Sequence, residues 1–380
     1  MPREPRLWAA LGRFWRRVTD GLEVGQLWRQ FLTDARASYR LYQRDLALKP
    51  EQQHAPARHF WHTFQAFAWA ILEKLSPARR VLLLIAIVLL VFGGADFSYT
   101  DSGGHFHPLN FDFRFYAGLV LLAVLLLEIA DRVVMKRDLE IARDIQKWLL
   151  PSQAPPVPGL DIAFATRAAN TVAGDFYDVF PRPGPQDAEA KILFVVADVA
   201  GKSIPAALLM ATFQASLRTL SMTPCSLSEL VGSLNQYACT NSQGGVRFTT
   251  AFLAEFEPSA RTLHYINAGH NAPIVRRARG EIERLTRGGL PLGILETAAY
   301  ETGDLVLESS DRLLIFTDGL VEAENAGGEP YDEQRLLEIM SAGAAASSPE
   351  FLRQLMAGLD GFVGATPQHD DITCMVISLR

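Results

Sequence analysis

Four short stretches set an aspartate beside a glycine, a second acid or the end of an apolar run. They are Val172-Ala173-Gly174-Asp175-Phe176-Tyr177-Asp178, the acid Asp198 after the run 192–196, Thr317-Asp318-Gly319, and His369-Asp370-Asp371. One aspartate next to a glycine is an ordinary turn residue. Repetition changes the reading, because three of these acids flank β-branched, apolar runs that suit buried strands. The runs before Asp198 and Asp318 lead toward their acid, and the run after Asp370 leads away from its acid. In an antiparallel sheet, strands of opposite direction bring such ends to one edge, so Asp198, Asp318 and Asp370 can converge from distant positions.

Carboxylates gathered at close range raise one another's pKa and cannot all stay ionised without a countercharge. A divalent cation removes the conflict. All-oxygen ligation selects Mg²⁺ or Mn²⁺ over zinc, which favours Cys and His. Two such ions ~3.5–4 Å apart, bridged by one carboxylate and a water, generate a hydroxide and clamp a phosphoryl group for in-line attack. That chemistry needs no serine nucleophile, and the chain has no G-x-S-x-G elbow.

The rest of the chain must hold these acids in place. At 380 residues it is long enough for two or more regions. Residues 1–80 carry 14 Lys and Arg against 7 Asp and Glu, whereas the remainder carries 22 against 35, and every Trp lies before residue 149. A basic front beside apolar segments suggests anionic lipid, and an acidic back with no basic cluster argues against nucleic acid as its ligand. Cys225, Cys239 and Cys374 form no C-x-x-C pair, so neither a disulfide framework nor a zinc site is expected. Residues 1–20 have arginines throughout and no continuous apolar core, so no secretory signal peptide is expected.

Residues 1–80 read as a basic, amphipathic helical region that either lies on a membrane surface or packs on itself. Two uninterrupted apolar runs follow, at 81–92 and 115–127, with a polar stretch between them. Arg79 and Arg80 precede the pair, and Arg132, Lys136 and Arg137 follow it. Basic residues outside both ends predict a membrane helical hairpin over 81–130, with helices at about 81–97 and 115–130 and both termini cytoplasmic. Residues 131–150 then read as a connector helix with one narrow apolar stripe (Val134, Ile141, Ile145, Trp148). Either it dimerises the chain or it is a solvent-facing linker. Prolines 151, 155, 156 and 158 end it and open the domain 151–380. There, short strands are expected at 160–166, 192–197, 248–256, 262–267, 272–275, 305–307, 313–317 and 372–379, and helices at 204–221, 226–237, 332–341 and 349–362. Many strands follow one another directly, so an antiparallel, α+β arrangement of sheets flanked by helices is favoured.

The motifs VAGDFYD, ADVAGKSIPAALLM, INAGHNAP, GLPLGI, IFTDGLVEAEN and HDDIT occur in this order and at separations similar to those of the metal-dependent (PPM, type 2C) serine/threonine protein phosphatases. The resemblance is to the bacterial SpoIIE/RsbU-like branch and runs from about Ile141 to the C-terminus. It implies an antiparallel β-sandwich flanked by helices that hydrolyses phosphoserine or phosphothreonine in a protein, with two Mn²⁺ or Mg²⁺ ions. Carried over by motif, Asp175, Asp198, Asp318 and Asp370 are the catalytic, metal-binding acids. Asp198 is then the bridge, and the Val199 carbonyl is a further ligand. Asp178 and Asp371 are expected behind these ligands or as structural acids. Two positions depart from the usual GGDF and DxxGKG patterns. Ala173 adds a methyl group, and Ser203 is tolerated where its φ is negative. His270 either touches substrate or fixes its own hairpin, and Lys202 either meets phosphate or is a solvated turn residue.

The expected function is therefore a protein-serine/threonine phosphatase at the bacterial inner membrane, with its catalytic domain cytoplasmic. By family analogy its substrate is a small phosphorylated regulatory protein such as an anti-sigma-factor antagonist, attacked by metal-bound hydroxide. Two rivals stand beside it. One is a catalytically silent membrane signalling module that binds its partner without turnover. The other is a nucleotidyl cyclase, which GDF resembles, but the chain lacks a Gly-rich triphosphate loop.

Overall fold

The computed structural model describes residues 75–100, 106–183, 190–241, 247–342 and 346–379. The amphipathic helices expected before residue 75 lie outside the described residues. The chain divides into two compact units, Met1–Asp131 and Arg132–Arg380.

In the first unit, α1 (Pro77–Phe92) leads into the antiparallel pair β1 (Ala95–Thr100) and β2 (Phe106–Phe111), and directly after it begins α2 (Phe113–Leu149), whose residues from Arg132 on belong to the second unit. Arg79 joins the two helices: its guanidinium pairs with Glu128 at 3.1 Å and Asp131 at 2.6 Å. This organisation corrects the expected hairpin of spans at 81–97 and 115–130. The first helix stops at Phe92 and residues 95–97 belong to a strand. At 16 residues it rises only ~24 Å, short of the ~30 Å of a hydrocarbon core. No described helix is long and apolar enough to cross a membrane. Nor is 131–150 a separate element, because α2 continues through it without a break.

The second unit is built from two stacked sheets. Their strands are β3 Leu160–Arg167, β4 Phe176–Arg182, β5 Lys191–Val199, β6 Thr249–Glu257, β7 Thr262–Ala268, β8 Ile274–Arg276, β9 Ile282–Arg284, β10 Gly288–Gly289, β11 Gly303–Val306, β12 Arg312–Phe316 and β13 Ile372–Leu379. The first sheet has the order β10-β7-β6-β5-β4, with β11 also pairing with β7; the second has the order β3-β13-β12-β8-β9. All pairings are antiparallel except the short β10–β7 contact. Strands β4, β9 and β10 were not among those expected. β4 escapes a pattern search because its residues are buried on both faces, so the polar–apolar alternation of a one-sided strand is missing.

Alternation along β5 shows how the layers form. Phe194 and Val196 point between the sheets, where they meet Phe252, Tyr265, Val275, Ile315, Met375 and Ile377. Leu193, Val195 and Ala197 point outward to α3 (Ile204–Leu220) and α4 (Leu227–Asn241), through Ala206, Met210, Phe213, Leu230 and Leu234. On the opposite outer face, Leu314, Phe316, Cys374 and Val376 pack against the single turn α5 (Asp318–Val321) and the helices α6 (Asp332–Ala342) and α7 (Ser348–Val363). The result is helices, sheet, sheet, helices. Cys374 is buried in this outer core, whereas Cys225 and Cys239 are half-buried, and none of the three is in a disulfide.

A candidate metal centre at one edge of the sandwich

Antiparallel pairing places the expected acids at strand ends of matching sense. In the first sheet Phe176 pairs with Ala197, so Asp175, just before β4, stands beside Asp198 near the end of β5. In the second sheet Phe316 pairs with Cys374, so Thr317 and Asp318, just after β12, stand beside Asp370 and Asp371 before β13. One hydroxyl ties the sheets together: Thr317 Oγ1 donates to Asp175 Oδ2 at 2.9 Å and accepts from the Thr373 amide at 2.9 Å. The Val199 carbonyl oxygen faces the same place, 3.1 Å from where a Cβ on Gly174 would stand.

The acids sense one another. Burial raises the Asp175 carboxyl well above the usual range, and the charge of Asp198 raises it further. Asp198 is pushed up to about 7, by burial first and then by Asp318, Asp370 and Asp371. Asp318 is raised by burial and by Asp370. These shifts are the signature of like charges sharing a poorly solvated space. Among the described residues no three His, Cys, Asp or Glu side chains already stand in a ligating cluster. The donors that face one another are nonetheless all oxygen, four carboxylates and a carbonyl, with no thiol or imidazole among them. That donor chemistry fits Mg²⁺ or Mn²⁺.

Asp371 is directed elsewhere. Its carboxylate accepts from the amides of Ala169 at 2.7 Å and Gly174 at 2.6 Å, which fixes the loop that presents Asp175. Gln146, on α2, braces the same loop by two hydrogen bonds with the backbone of Ala173, donating to its carbonyl at 2.7 Å and accepting from its amide at 2.9 Å. Gly319 is obligatory for packing, since a Cβ there would lie 2.1 Å from the Asp371 carbonyl oxygen. Asp178 lies on the helix side of β4, fully buried, and accepts a two-pronged ion pair from Arg218 of α3 at 2.7 and 2.8 Å. The same guanidinium covers the Phe180 ring at 3.9 Å. His270 is buried as well. Its amide donates to Asn267 Oδ1 at 2.7 Å and its Nδ1 meets Thr250 Oγ1 at 3.0 Å, so its observed contacts brace the strands around its own turn.

Two readings of the turn after β5 are corrected. Lys202 is more than a solvated lysine: its Nζ lies 2.8 Å from Asp370 Oδ2 and donates to the His369 carbonyl at 2.7 Å. Ser203 has φ +66° and ψ −146°, so the negative φ that makes a serine easy there is absent. Thr317, Gln146 and Arg218 were not singled out from the sequence. Only Thr317 carried a signal, through its place inside the TDG motif.

Residues 188–380 match the family model described as Stage II sporulation protein E (SpoIIE). Protein IcfG of Synechocystis sp. is 27% identical over 270 residues, which cover 64% of this chain but only 42% of IcfG. The phosphoserine phosphatase RsbU of Bacillus subtilis is 29% identical over 246 residues, covering 64% of this chain and 70% of RsbU. Among solved structures, the SiaA-PP2C domain of Pseudomonas aeruginosa superposes with a TM-score of 0.58 at 20% identity, covering 66% of this chain and 99% of that domain. The sandwich of two sheets between helix layers is thus a PP2C-like fold.

Proposed function

The chain belongs to the Stage II sporulation protein E (SpoIIE) family, and on that premise we propose that residues 151–380 are a metal-dependent protein-serine/threonine phosphatase domain. The observation that carries this reading is the meeting of Asp175, Asp198, Asp318 and Asp370 at one edge of the sandwich, where burial and mutual charge raise the first three. Asp175 and Asp198 from one sheet and Asp318 and Asp370 from the other would hold two Mn²⁺ or Mg²⁺ ions, with Asp198 shared and the Val199 carbonyl completing the set. Such a pair of ions supplies an activated water and neutralises charge on a phosphoryl group during in-line displacement. The chain's own part is preorganisation. Thr317 holds Asp175, Asp371 and Gln146 hold the loop before it, and Gly319 lets α5 approach the Asp371 backbone closely.

The substrate in this reading is a phosphorylated regulatory protein, such as an anti-sigma-factor antagonist, and the relative RsbU, named a phosphoserine phosphatase, supports that class. The purified protein is expected to release phosphate from a phosphoserine protein only with added Mn²⁺ or Mg²⁺. Undiminished activity in Asp198→Ala would defeat the reading, and undiminished activity in EDTA would defeat its metal part.

Location at the bacterial inner membrane, catalytic domain and N-terminus cytoplasmic, belongs to the same proposal. The apolar surface of α1 and the start of α2 supports it, with Val91, Phe92 and Phe115 at 79%, 72% and 64% exposure. Contact with lipid then rests on those exposed faces together with the basic front. The exposed Ile141, Ile145 and Trp148 stripe on α2 supports a homodimer through that helix. Loss of the protein from the membrane fraction after a mild salt wash would refute the first, and a monomer by light scattering would refute the second.

A further inference from the structure

Lys202 sits in a turn whose backbone is held on both sides in the left-handed half of conformational space. Gly201 has φ +118°, which costs glycine little, and Ser203 has φ +66° with ψ −146°, a region used almost only by glycine. The strained serine is held by the helix it begins: its carbonyl accepts from the Ala207 amide at 3.1 Å, and Ala206, Met210, Phe213 and Leu217 anchor α3 in the core. Between these two residues Lys202 reaches across to the start of β13. Its ammonium touches both Asp370 Oδ2, at 2.8 Å, and the His369 carbonyl oxygen, at 2.7 Å. Asp370 Oδ1 is engaged too, accepting from the Asp371 amide at 2.9 Å. Among the described residues Lys202 is the only basic side chain in ion-pair contact with Asp175, Asp198, Asp318, Asp370 or Asp371.

We propose that Lys202 is a built-in counter-ion of this acid cluster, a positioning residue that competes with a divalent cation for Asp370 and so sets how tightly the cation is held. The inference rests on the two-ion reading above and adds a control on its affinity. For Asp370 to ligate, the oxygen that now accepts from the ammonium must be shared or exchanged, and the lysine charge repels a dication drawn to the same carboxylate. The same contact fastens the β5–α3 turn to β13. Removing the charge therefore has two effects of opposite sign: the cation binds more tightly, and the cation-free protein becomes less stable. A lysine with only a structural role would lower stability without tightening the cation. One that meets only the substrate's phosphate would change neither.

The test titrates Mn²⁺ into the full chain by calorimetry, after EDTA treatment, for the wild type, Lys202→Met and Lys202→Arg. Lys202→Met is expected to bind the weaker Mn²⁺ equivalent on the order of 10-fold more tightly, with Lys202→Arg close to wild type. Its melting midpoint in EDTA is expected to fall, and the gap between its EDTA and Mn²⁺ midpoints to widen. Equal or weaker Mn²⁺ binding by Lys202→Met overturns the counter-ion role while leaving the metal reading intact. No Mn²⁺ binding by the wild type overturns the metal reading itself, and the counter-ion role with it. Should Lys202→Met not fold, the wild type still decides. Acetic anhydride labelling of Lys202, read by peptide mass spectrometry, is expected to speed up several-fold on adding Mn²⁺, and an unchanged rate would overturn the proposal.

Discussion

The pair Asp178–Arg218 separates a structural acid from a ligand by an asymmetry that follows from burial alone. Asp178 is completely buried, whereas the Arg218 side chain is 44% exposed. Burial raises the Asp178 carboxyl more than the Arg218 guanidinium and the Val179 amide lower it, so the carboxylate is a strained charge sustained by its arginine. Arg218→Met leaves that charge without its partner in a dry site, which costs about 3 kcal/mol. Asp178→Asn instead leaves a half-exposed arginine that can turn to water, and the asparagine still accepts from the Val179 amide, so about 1 kcal/mol is expected. Urea unfolding of the two single variants at pH 7.5 measures the difference. Lower pH is expected to shrink the Arg218→Met penalty. A carboxyl whose folded pKa is raised contributes stability below its unfolded value of 3.8 and loses it as pH rises through the folded pKa, and losing Arg218 pushes that folded pKa higher still. Mn²⁺ affinity should not move in either variant. Equal penalties, a larger penalty for Asp178→Asn, or a loss of Mn²⁺ binding by Asp178→Asn would refute the reasoning, the last by making Asp178 a ligand.

Three further outcomes are expected. Ser203→Gly removes a residue held at φ +66°, and after the entropic cost of glycine it should stabilise the protein by about 1 kcal/mol in the same unfolding assay. Gly319→Ala puts a methyl 2.1 Å from the Asp371 carbonyl oxygen, so it should cost about 3 kcal/mol by urea unfolding and abolish phosphate release, and a normally stable variant would contradict the close packing of α5 on the residues before β13. His270 is held down to about 4, from 6.5, by burial. The unfolded chain then takes up a proton that the folded one refuses, so this contribution is whole above pH 6.5 and fades as pH falls toward 4. Between pH 7.5 and pH 5 the wild type should lose about 2 kcal/mol more than His270→Asn, measured by urea unfolding at both pH values.

How far the site can be read without coordinates differs from residue to residue. Asp198 and Asp318 are legible because each closes a β-branched run, and the direction of those runs, set against that of β13, is enough to send the acids to one edge. Asp175 is legible only through its motif, since β4 is buried on both faces and shows no alternation. The membrane hairpin is expected from the paired apolar runs and the basic residues that flank them, yet neither says where a helix stops. Here α1 ends at Phe92, before a β-hairpin, and Arg79 is committed to Glu128 and Asp131.

The sequence by itself supplied the candidate acids, pointed to the oxygen-only chemistry that goes with them and favoured antiparallel pairing of the strands, because residue type and hydrophobic period are local properties. Only the tertiary structure decided which acids face the site and which are occupied elsewhere. Asp178 turns to Arg218 and Asp371 to two backbone amides, whereas Asp370 stays among the clustered acids with Lys202 paired to it. Each of those choices joins residues far apart in the chain or depends on a backbone angle such as that of Ser203. Both are set by how the sheets and helices pack, and neither is written in any short stretch of sequence.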